Sequence, residues 1–394
     1  MRMRINLVPQ IAVGVALAAC TAAPAPASEA RPPSYLYPIV SPLVGGDEWS
    51  TTHSADYDIA RDPNEVPALP LADGATVTFT TREIRSFVAP RDPSLDPPRW
   101  SGAADVPMEF MAYAATTDDP SIPSGYWTAR VPGPFLKVVQ NRSLEIVLEN
   151  PAESAEPHSI DFHAVVGARG GAAMLMAEPG QTVRMTIRPR HPGLFVYHCA
   201  EDGTPGGIAE HMNGGMSGLI LVLPGDVDGN LDDGAPFNQM LADGVSEHYV
   251  FEQDVYLDAQ GGFDQLGQYS RAFPDVVTYN GRVSALVDHP LLGSAARSYV
   301  IYHGAGGVHV PTFHIIGAVF DDVWVDGDLL SPPAHSLQTV LIPSAGSAVV
   351  RIDRTNLVVN VPGDHVLLPE LDMLVDHETP YFRRGALGFM EVTP

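Results

Sequence analysis

Lysine is almost absent from this 394-residue chain, in which Lys137 is the only one. Lysine and arginine together number 22 against 47 acidic residues, so the formal net charge at pH 7 is −25. A chain without a basic stripe cannot neutralise a run of phosphates. We therefore expect no nucleic acid among its partners.

Cysteine is nearly as scarce, with Cys20 and Cys199 the only two. Cys20 ends the stretch "LAAC", which follows Arg2, Arg4 and an apolar segment, residues 11–19, too short to span a bilayer. The pattern resembles a bacterial lipoprotein signal in which Cys20 carries lipid and anchors the protein to a membrane; an ordinary signal peptide cut nearby is the alternative. Either way we expect an exported protein, periplasm-facing or anchored to the outer membrane of a Gram-negative bacterium. Cys199 would then be the only thiol of the folded body, with no partner for an intramolecular disulfide.

Glycine and proline are abundant, at 36 and 37 residues, which favours turns and short strands over long helices. Polar and apolar residues alternate over 76–81, 143–150, 182–189 and 217–224, and again from 248 to 258, which predicts half-buried strands. The sequence therefore predicts an all-β fold. We expect a signal peptide over 1–20, an Ala/Pro-rich tether and N-terminal extension over 21–70, a first domain over 71–225, a linker over 226–245 and a second domain over 246–394.

The two halves resemble each other in sequence. Residues 158–167 and 309–318 each carry two histidines five positions apart, with a phenylalanine before the second. The Pro-Gly segment that ends in His198 and Cys199 parallels another that ends in His377. Duplication of one β-domain accounts for both similarities. It pairs His163 with His314 and His198 with His377, so histidines from both halves are candidates for the chemistry.

The stretch "HCAEDGTPGGIAEHMNGGM", residues 198–216, concentrates the candidate metal ligands. Cys199, His211 and Met216 supply a thiolate, an imidazole and a thioether on one loop that closes a hairpin-like turn. With a second imidazole from His158 they form the donor set of a type 1 copper site, which transfers electrons. Zinc is the rival metal for a Cys-His set. Met212 is the rival axial ligand.

A second set of side chains follows from strand geometry. Adjacent residues on a strand point to opposite faces. His198 can therefore face one metal while Cys199 faces another. On the neighbouring strand, His163 and His158 can likewise face different metals. The sequence predicts two metals joined by a short stretch of chain.

At this point the chain resembles the copper-containing nitrite reductases. The motifs are "VPGP" (131–134), "HSIDFHA" (158–164), "PGLFVYHCA" (192–200), "HMNGGMSGLILV" (211–222), "TYNG" (278–281), "FHIIG" (313–317) and "VDHETPYFRRGALG" (375–388). The resemblance implies two tandem cupredoxin-like Greek-key β-sandwich or barrel domains, a homotrimer, nitrite as substrate, and a small redox protein, a cupredoxin or a cytochrome c, as electron donor.

The resemblance also implies one type 1 and one type 2 copper per chain. Type 1 copper would be held by His158, Cys199, His211 and Met216. Type 2 copper would be held by His163 and His198, with His377 supplied by the adjacent subunit; His365 is a competitor for that third place. Asp161 and His314 match the catalytic residues of the family.

Two other readings of the sequence stay open. A two-domain multicopper oxidase needs about eight histidines, mostly in His-X-His pairs, and this chain contains no such pair. A lipid-anchored electron carrier without catalysis needs only the type 1 site and leaves Asp161, His163, His314 and His377 unexplained. Copper content separates the three: two per chain for the reductase, four for the oxidase and one for the carrier.

Overall fold

A computed structural model of the chain describes residues 66–87, 107–122, 131–166, 172–201, 207–257, 264, 274–281, 286, 291–294, 296–307, 310–315, 318–354, 367–368, 371–372 and 390–393. The predicted signal peptide, Cys20 and residues 21–65 of the predicted tether and N-terminal extension lie outside these ranges. Within them, no helix has both the length and the apolar character needed to cross a membrane.

The described residues form twenty-one strands and two short helices. In the first half these are β1 (Thr76–Phe87), β2 (Pro107–Thr117), β3 (Leu136–Val139), β4 (Leu144–Glu149), β5 (His158–Val166), β6 (Ala172–Ala177), β7 (Thr182–Ile187), β8 (Gly193–His198), α1 (Gly207–Gly214) and β9 (Ser217–Leu223). Then follow α2 (Pro236–Ala242), β10 (Ser246–Val255), β11 (Val276–Tyr279), β12 (Leu291–Ser294), β13 (Tyr299–Ala305), β14 (Thr312–Ile315) and β15 (Phe320–Val325). The last are β16 (Ala334–Leu337), β17 (Thr339–Leu341), β18 (Ser347–Ile352), β19 (Leu367–Leu368), β20 (Leu371–Asp372) and β21 (Met390–Thr393).

The first half is a sandwich of two sheets around one core. One sheet has the strand order β2-β1-β4-β7 and the other β3-β9-β8-β5-β6. Inward-facing side chains from both sheets, among them Phe79, Ile146, Phe162 and Tyr197, form a single buried cluster. The strands predicted from alternation at 76–81, 143–150, 182–189 and 217–224 are confirmed as β1, β4, β7 and β9.

The second half repeats the strand pairing of the first. In the first half β1 pairs antiparallel with β2 and parallel with β4, and β4 pairs antiparallel with β7. In the second half β10 pairs in the same way with β11 and β13, and β13 with β18. This half has its own buried core, which includes Ile301, Phe313 and Val350. The shared topology supports duplication of one β-domain.

One prediction about burial was wrong. The alternation of residues 217–224 predicts a half-buried strand, but every residue of β9 is buried. Ile220 and Val222 face the first core, whereas Leu219 and Leu221 pack against Tyr249 and other side chains of the second half. Because the second half covers the outer face of β9, the strand is buried on both sides.

A charged pair links the two halves at this contact. The Nζ of Lys137 lies 2.8 Å from Oε2 of Glu247, and the hydroxyl of Tyr302 donates to the same oxygen at 2.6 Å. Lys137 is 3% exposed, so its charge is compensated inside the molecule. The only lysine of the chain therefore serves the contact between the halves.

Candidate metal centres

Strand β5 presents two kinds of side chain because its residues alternate between faces. Ile160 and Phe162 point into the first core, while Asp161 and His163 lie on the opposite face. Strand β8 runs antiparallel beside β5 and places His198 directly opposite Asp161. Cys199 follows His198 at the end of β8. The two neighbouring strands therefore bring Asp161, His163, His198 and Cys199 close together.

The first cluster contains His158, Cys199 and His211, whose ligand atoms all lie within 4.8 Å of one another. Nδ1 of His158 is 3.2 Å from Nδ1 of His211, which is 3.3 Å from Sγ of Cys199. All three side chains are fully buried. Two imidazole nitrogens and a sulfur thus converge on one point, and this soft donor set fits copper.

The electrostatics of the first cluster favour a thiolate. Burial alone would raise the pKa of Cys199, but hydrogen bonds from His158 and His211 lower it from 9.0 to about 5. Burial opposes the charged form of His158, yet the Cys199 thiolate and Glu83 raise the pKa of that imidazole to about 9. The backbone N–H of Ser159 also donates to Sγ at 3.2 Å. The protein therefore stabilises the sulfur as an anion, the form in which it binds metal.

His211 lies on α1, which forms within the segment that the sequence predicts as a loop. The helix ends at Gly214, and Gly215 adopts a φ of +115°. Its position would bring a Cβ within 2.3 Å of Val131, so only glycine fits there. The glycine turns the chain back so that Met216 reaches the metal-ligand loop.

Backbone hydrogen bonds tie Met216 to two predicted ligands. Its N–H donates to the carbonyl of His211 at 3.0 Å, and its carbonyl accepts from the N–H of Cys199 at 2.9 Å. Met216 and Cys199 belong to the same buried cluster, which does not include Met212. This placement favours Met216 over Met212 as the thioether ligand.

A side chain from the second half holds the end of α1. The amide nitrogen of Gln253, on β10, donates to the carbonyl of Met212 at 2.7 Å and also to the carbonyl of Asn213. Gln253 is 2% exposed. The last carbonyls of a helix lack partners within the helix. Gln253 satisfies two of them and thereby fixes the segment that carries His211.

Carboxylates surround the outer nitrogens of the first cluster. Oε1 of Glu83 is 3.4 Å from Nε2 of His158, and Oε2 of Glu156 is 3.4 Å from Nε2 of His211. Oε2 of Glu201 lies 3.9 Å from the same nitrogen of His211. Sequence reasoning missed all three. Glu83 comes from a distant strand, so only the fold reveals it. The available signals were the positions of Glu156, two residues before His158, and of Glu201, two residues after Cys199.

The second cluster lies on the other side of the β5–β8 pair and contains Asp161, His163 and His198. Nε2 of His163 is 3.0 Å from Nε2 of His198. Nδ1 of His198 lies 2.8 Å from the carbonyl oxygen of Cys199. Because a carbonyl only accepts, Nδ1 must carry the proton, which leaves a lone pair on Nε2 for a metal.

The second cluster is more open and more polar than the first. His163 is exposed and Asp161 half-buried, although Oδ1 of Asp161 is buried and has no hydrogen-bond partner in the described part of the chain. Burial raises the pKa of Asp161, against the lowering effect of His198 and His163. Burial, together with the neighbouring His198, lowers the pKa of His163. A neutral imidazole is the form that binds metal.

The structure does not bring every predicted site residue into these clusters. His314 lies on β14 of the second half and is not a member of the group formed by Asp161, His163 and His198. His377 and its competitor His365 lie outside the described residues. Within one chain, the described part of the second cluster supplies two imidazoles and a carboxylate.

The whole chain was compared with known protein families, sequences and structures. No family model matches the chain. It is 33% identical over 297 residues to the copper-containing nitrite reductase of Neisseria meningitidis serogroup B, an alignment that covers 73% of this chain and 68% of the relative. Among solved structures, the copper nitrite reductase of Nitrosomonas europaea matches 81% of this chain and 93% of its own, with 21% identity and a TM-score of 0.56. A multicopper oxidase matches 81% of this chain and 88% of its own, with 19% identity and a TM-score of 0.51. The structural matches confirm the all-β fold with two tandem cupredoxin-like domains.

Proposed function

The chain belongs to the copper-containing nitrite reductases, and on that premise we propose that it reduces nitrite by one electron to nitric oxide. The reaction consumes one electron and two protons and releases one water. The observation that carries the proposal is the adjacency of His198 and Cys199, which puts consecutive residues into two separate clusters of metal ligands. Such a link suits an enzyme that delivers single electrons to a bound substrate.

We assign type 1 copper to His158, Cys199, His211 and Met216, and type 2 copper to His163 and His198 with His377 of the adjacent subunit. When bound, the first copper would accept and release single electrons, and the second would bind and reduce nitrite. The chain supplies the path between the two groups, through the Cys199 side chain, one peptide bond and the His198 ring. The hydrogen bond from Nδ1 of His198 to the carbonyl of Cys199 shortens that path. A cupredoxin or a cytochrome c would act as the electron donor.

The open second cluster supports assembly of a homotrimer. Two imidazoles from one chain are few for a copper site, and His163 is exposed. Met174 on the neighbouring strand β6 pairs in register with Asp161, and it and Met176 are 47% and 45% exposed. Apolar side chains beside a metal half-site are suited to a subunit contact. In a head-to-tail ring, the second domain of one chain would complete the site of the next.

Asp161 and His314 are the proposed proton donors. Breaking an N–O bond of nitrite requires protons at the departing oxygen, and positioned side chains commonly supply them. Asp161 lies beside both imidazoles of the second cluster and keeps one buried carboxylate oxygen without a partner among the described residues. That oxygen is available to a substrate. His314 would approach from the neighbouring subunit.

The second candidate function is oxygen reduction by a two-domain multicopper oxidase, because a multicopper oxidase shares this fold. The absence of any His-X-His pair from the sequence weighs against it. A non-catalytic electron carrier would need only the first cluster and leaves the second unexplained. We further propose that the protein is exported and lipid-anchored at Cys20, with a first domain over 71–225, a linker over 226–245 that includes α2, and a second domain over 246–394.

Copper content and product identity test the proposed function. Purified protein should bind two coppers per chain and, without oxygen and with a reduced artificial donor, convert nitrite to nitric oxide. One copper per chain with no nitric oxide would indicate the carrier, and four coppers with oxygen consumption would indicate the oxidase. Cys20→Ala should release the protein from membranes without changing turnover, since Cys20 is far in sequence from every proposed copper ligand.

A further inference from the structure

The two imidazoles of the first cluster use their nitrogens in the same way. Both Nδ1 atoms point inward, toward each other and toward the sulfur of Cys199. Both Nε2 atoms point outward and are buried, and neither has a hydrogen-bond partner in the described part of the structure. Each instead has a glutamate oxygen at 3.4 Å: Glu83 beside His158 and Glu156 beside His211.

The glutamates are held in place by the fold. The carboxylate of Glu83 accepts the N–H of Ala155 at 2.8 Å, which fastens strand β1 to the turn that precedes β5. In the same turn, the carbonyl of Glu156 accepts from the side-chain amide of Asn150 at 2.9 Å. The side chains of Glu83 and Glu156 are 34% and 33% exposed. Each therefore reaches a buried nitrogen while part of its carboxylate stays in water, which lowers the cost of keeping it ionised.

We propose that Glu83 and Glu156 are positioning residues that hold His158 and His211 with Nδ1 toward the metal and lower the reduction potential of the copper bound there. A carboxylate that accepts from the remote N–H of a metal-bound histidine fixes the tautomer and makes the ring a stronger donor. The inference rests on the proposed function, because it requires copper at this cluster.

The direction of the effect follows from charge. Copper carries one more positive charge in its oxidised state than in its reduced state. A nearby carboxylate therefore stabilises the oxidised state more. Two carboxylates, one behind each imidazole, add their effects. The geometry thus predicts a first copper that gives up its electron more readily than it would with neutral residues at positions 83 and 156.

Glutamine variants separate charge from hydrogen bonding. In Glu83→Gln or Glu156→Gln the side chain keeps its size and an oxygen that can accept a hydrogen bond, but the negative charge is gone. In copper-loaded trimers, a redox titration followed by the visible band should show a higher potential in each variant. We expect a shift of about tenfold in the ratio of reduced to oxidised copper, or about 59 mV for a one-electron couple, and a larger shift in the double variant.

Glu153→Gln is the matched control. Glu153 lies in the same turn as Glu156 and is exposed, so the variant makes the same change in net charge. Its potential should match that of the wild type. If Glu83→Gln and Glu156→Gln move the potential no more than Glu153→Gln does, the proposal is wrong.

Aspartate variants keep the test decisive if a glutamine variant fails to bind copper. Glu83→Asp and Glu156→Asp keep the charge but withdraw it from the ring, so their potentials should lie between those of the wild type and the glutamine variants. An aspartate variant whose potential shifts as far as that of its glutamine counterpart overturns the role of charge. A normal band with an unmoved potential defeats this inference alone, whereas wild-type protein without any visible band defeats the proposed function.

Discussion

The two ligand clusters lie on opposite sides of the same pair of strands, yet one is closed and the other is open. The first, His158, Cys199 and His211, is fully buried and is built within one chain. The second includes the exposed His163 and the half-buried Asp161. A buried cluster of fixed geometry suits electron transfer, whereas substrate must reach an open one. The contrast between the clusters therefore agrees with the proposal that nitrite is reduced at the open one.

The backbone explains how the single strand pair β5 and β8 carries ligands of both clusters. At the end of β8, consecutive side chains point to opposite faces, so Cys199 enters the interior beside Met216 while His198, also buried, joins Asp161 and His163. The interior side is then closed by α1 and by Gln253 of the second half. Nothing comparable from the described residues of the same chain covers His163.

Removal of the Cys199 thiol should have the largest effect, because it disrupts the closed cluster while the open cluster stays intact. Cys199→Ser should abolish the visible thiolate-to-copper band and reduce the copper content from two to one per chain, because the second cluster keeps its ligands. Turnover with a protein donor should fall to background. Met212→Leu is the matched control on the same loop and should keep the band; a band that survives in Cys199→Ser would mean that the first cluster is not the type 1 site.

Substitution of the Asp161 carboxylate should impair catalysis at the open cluster while the cluster still binds copper. Asp161→Asn should retain both coppers and lower nitrite turnover by about 10²- to 10⁴-fold, because an amide cannot donate a proton in the same way. Steady-state rates together with copper analysis measure the effect. Wild-type turnover in this variant would remove Asp161 from the reaction.

The charge state of the Cys199 thiol in copper-free protein is a further test of the closed cluster. The pKa of Cys199 in the folded protein is about 5, below its usual 9.0. The ultraviolet absorbance of the thiolate should therefore be present at neutral pH and disappear as the pH falls through about 5. Because the folded pKa is the lower one, the thiolate contributes most stability above about pH 9 and progressively less down to about pH 5. In the denatured chain, the same absorbance should appear only as the pH rises toward 9, and a folded protein with that behaviour would contradict the hydrogen-bonding pattern.

Loss of the helix anchor should have the smallest effect. Gln253→Met leaves the buried carbonyls of Met212 and Asn213 without their donor and should reduce the free energy of unfolding by about 1–3 kcal/mol, with a change in the visible band. Thr278→Val, on the strand beside it, removes a 3.4 Å hydrogen bond to the carbonyl of Gln253 without touching α1. It should leave the band unchanged. Equal spectra for the two variants would show that Gln253 does not shape the ligand loop.

The sequence predicted the strands of the first half and named the side chains that the structure brings together in the two clusters, because alternation and short motifs are local signals. It did not predict α1, whose eight residues begin and end in glycine, a residue unfavourable in helices. That helix depends on contacts such as the one from Gln253, which no local pattern reveals. Burial of β9 on both faces and the approach of Glu83 to His158 also depend on distant segments. Each of these features was missed because its cause lies far away in the chain.

The most direct test of the contrast between a closed and a shared cluster is subunit complementation. His163→Ala chains and His377→Ala chains each lack one proposed type 2 ligand, so each homotrimer should keep the visible band but show no nitrite turnover. When the two are mixed under conditions that exchange subunits, sites that pair an intact His163 with an intact His377 from the neighbouring chain should regain copper and activity. Proven mixed trimers that stay inactive would contradict a catalytic site shared between subunits.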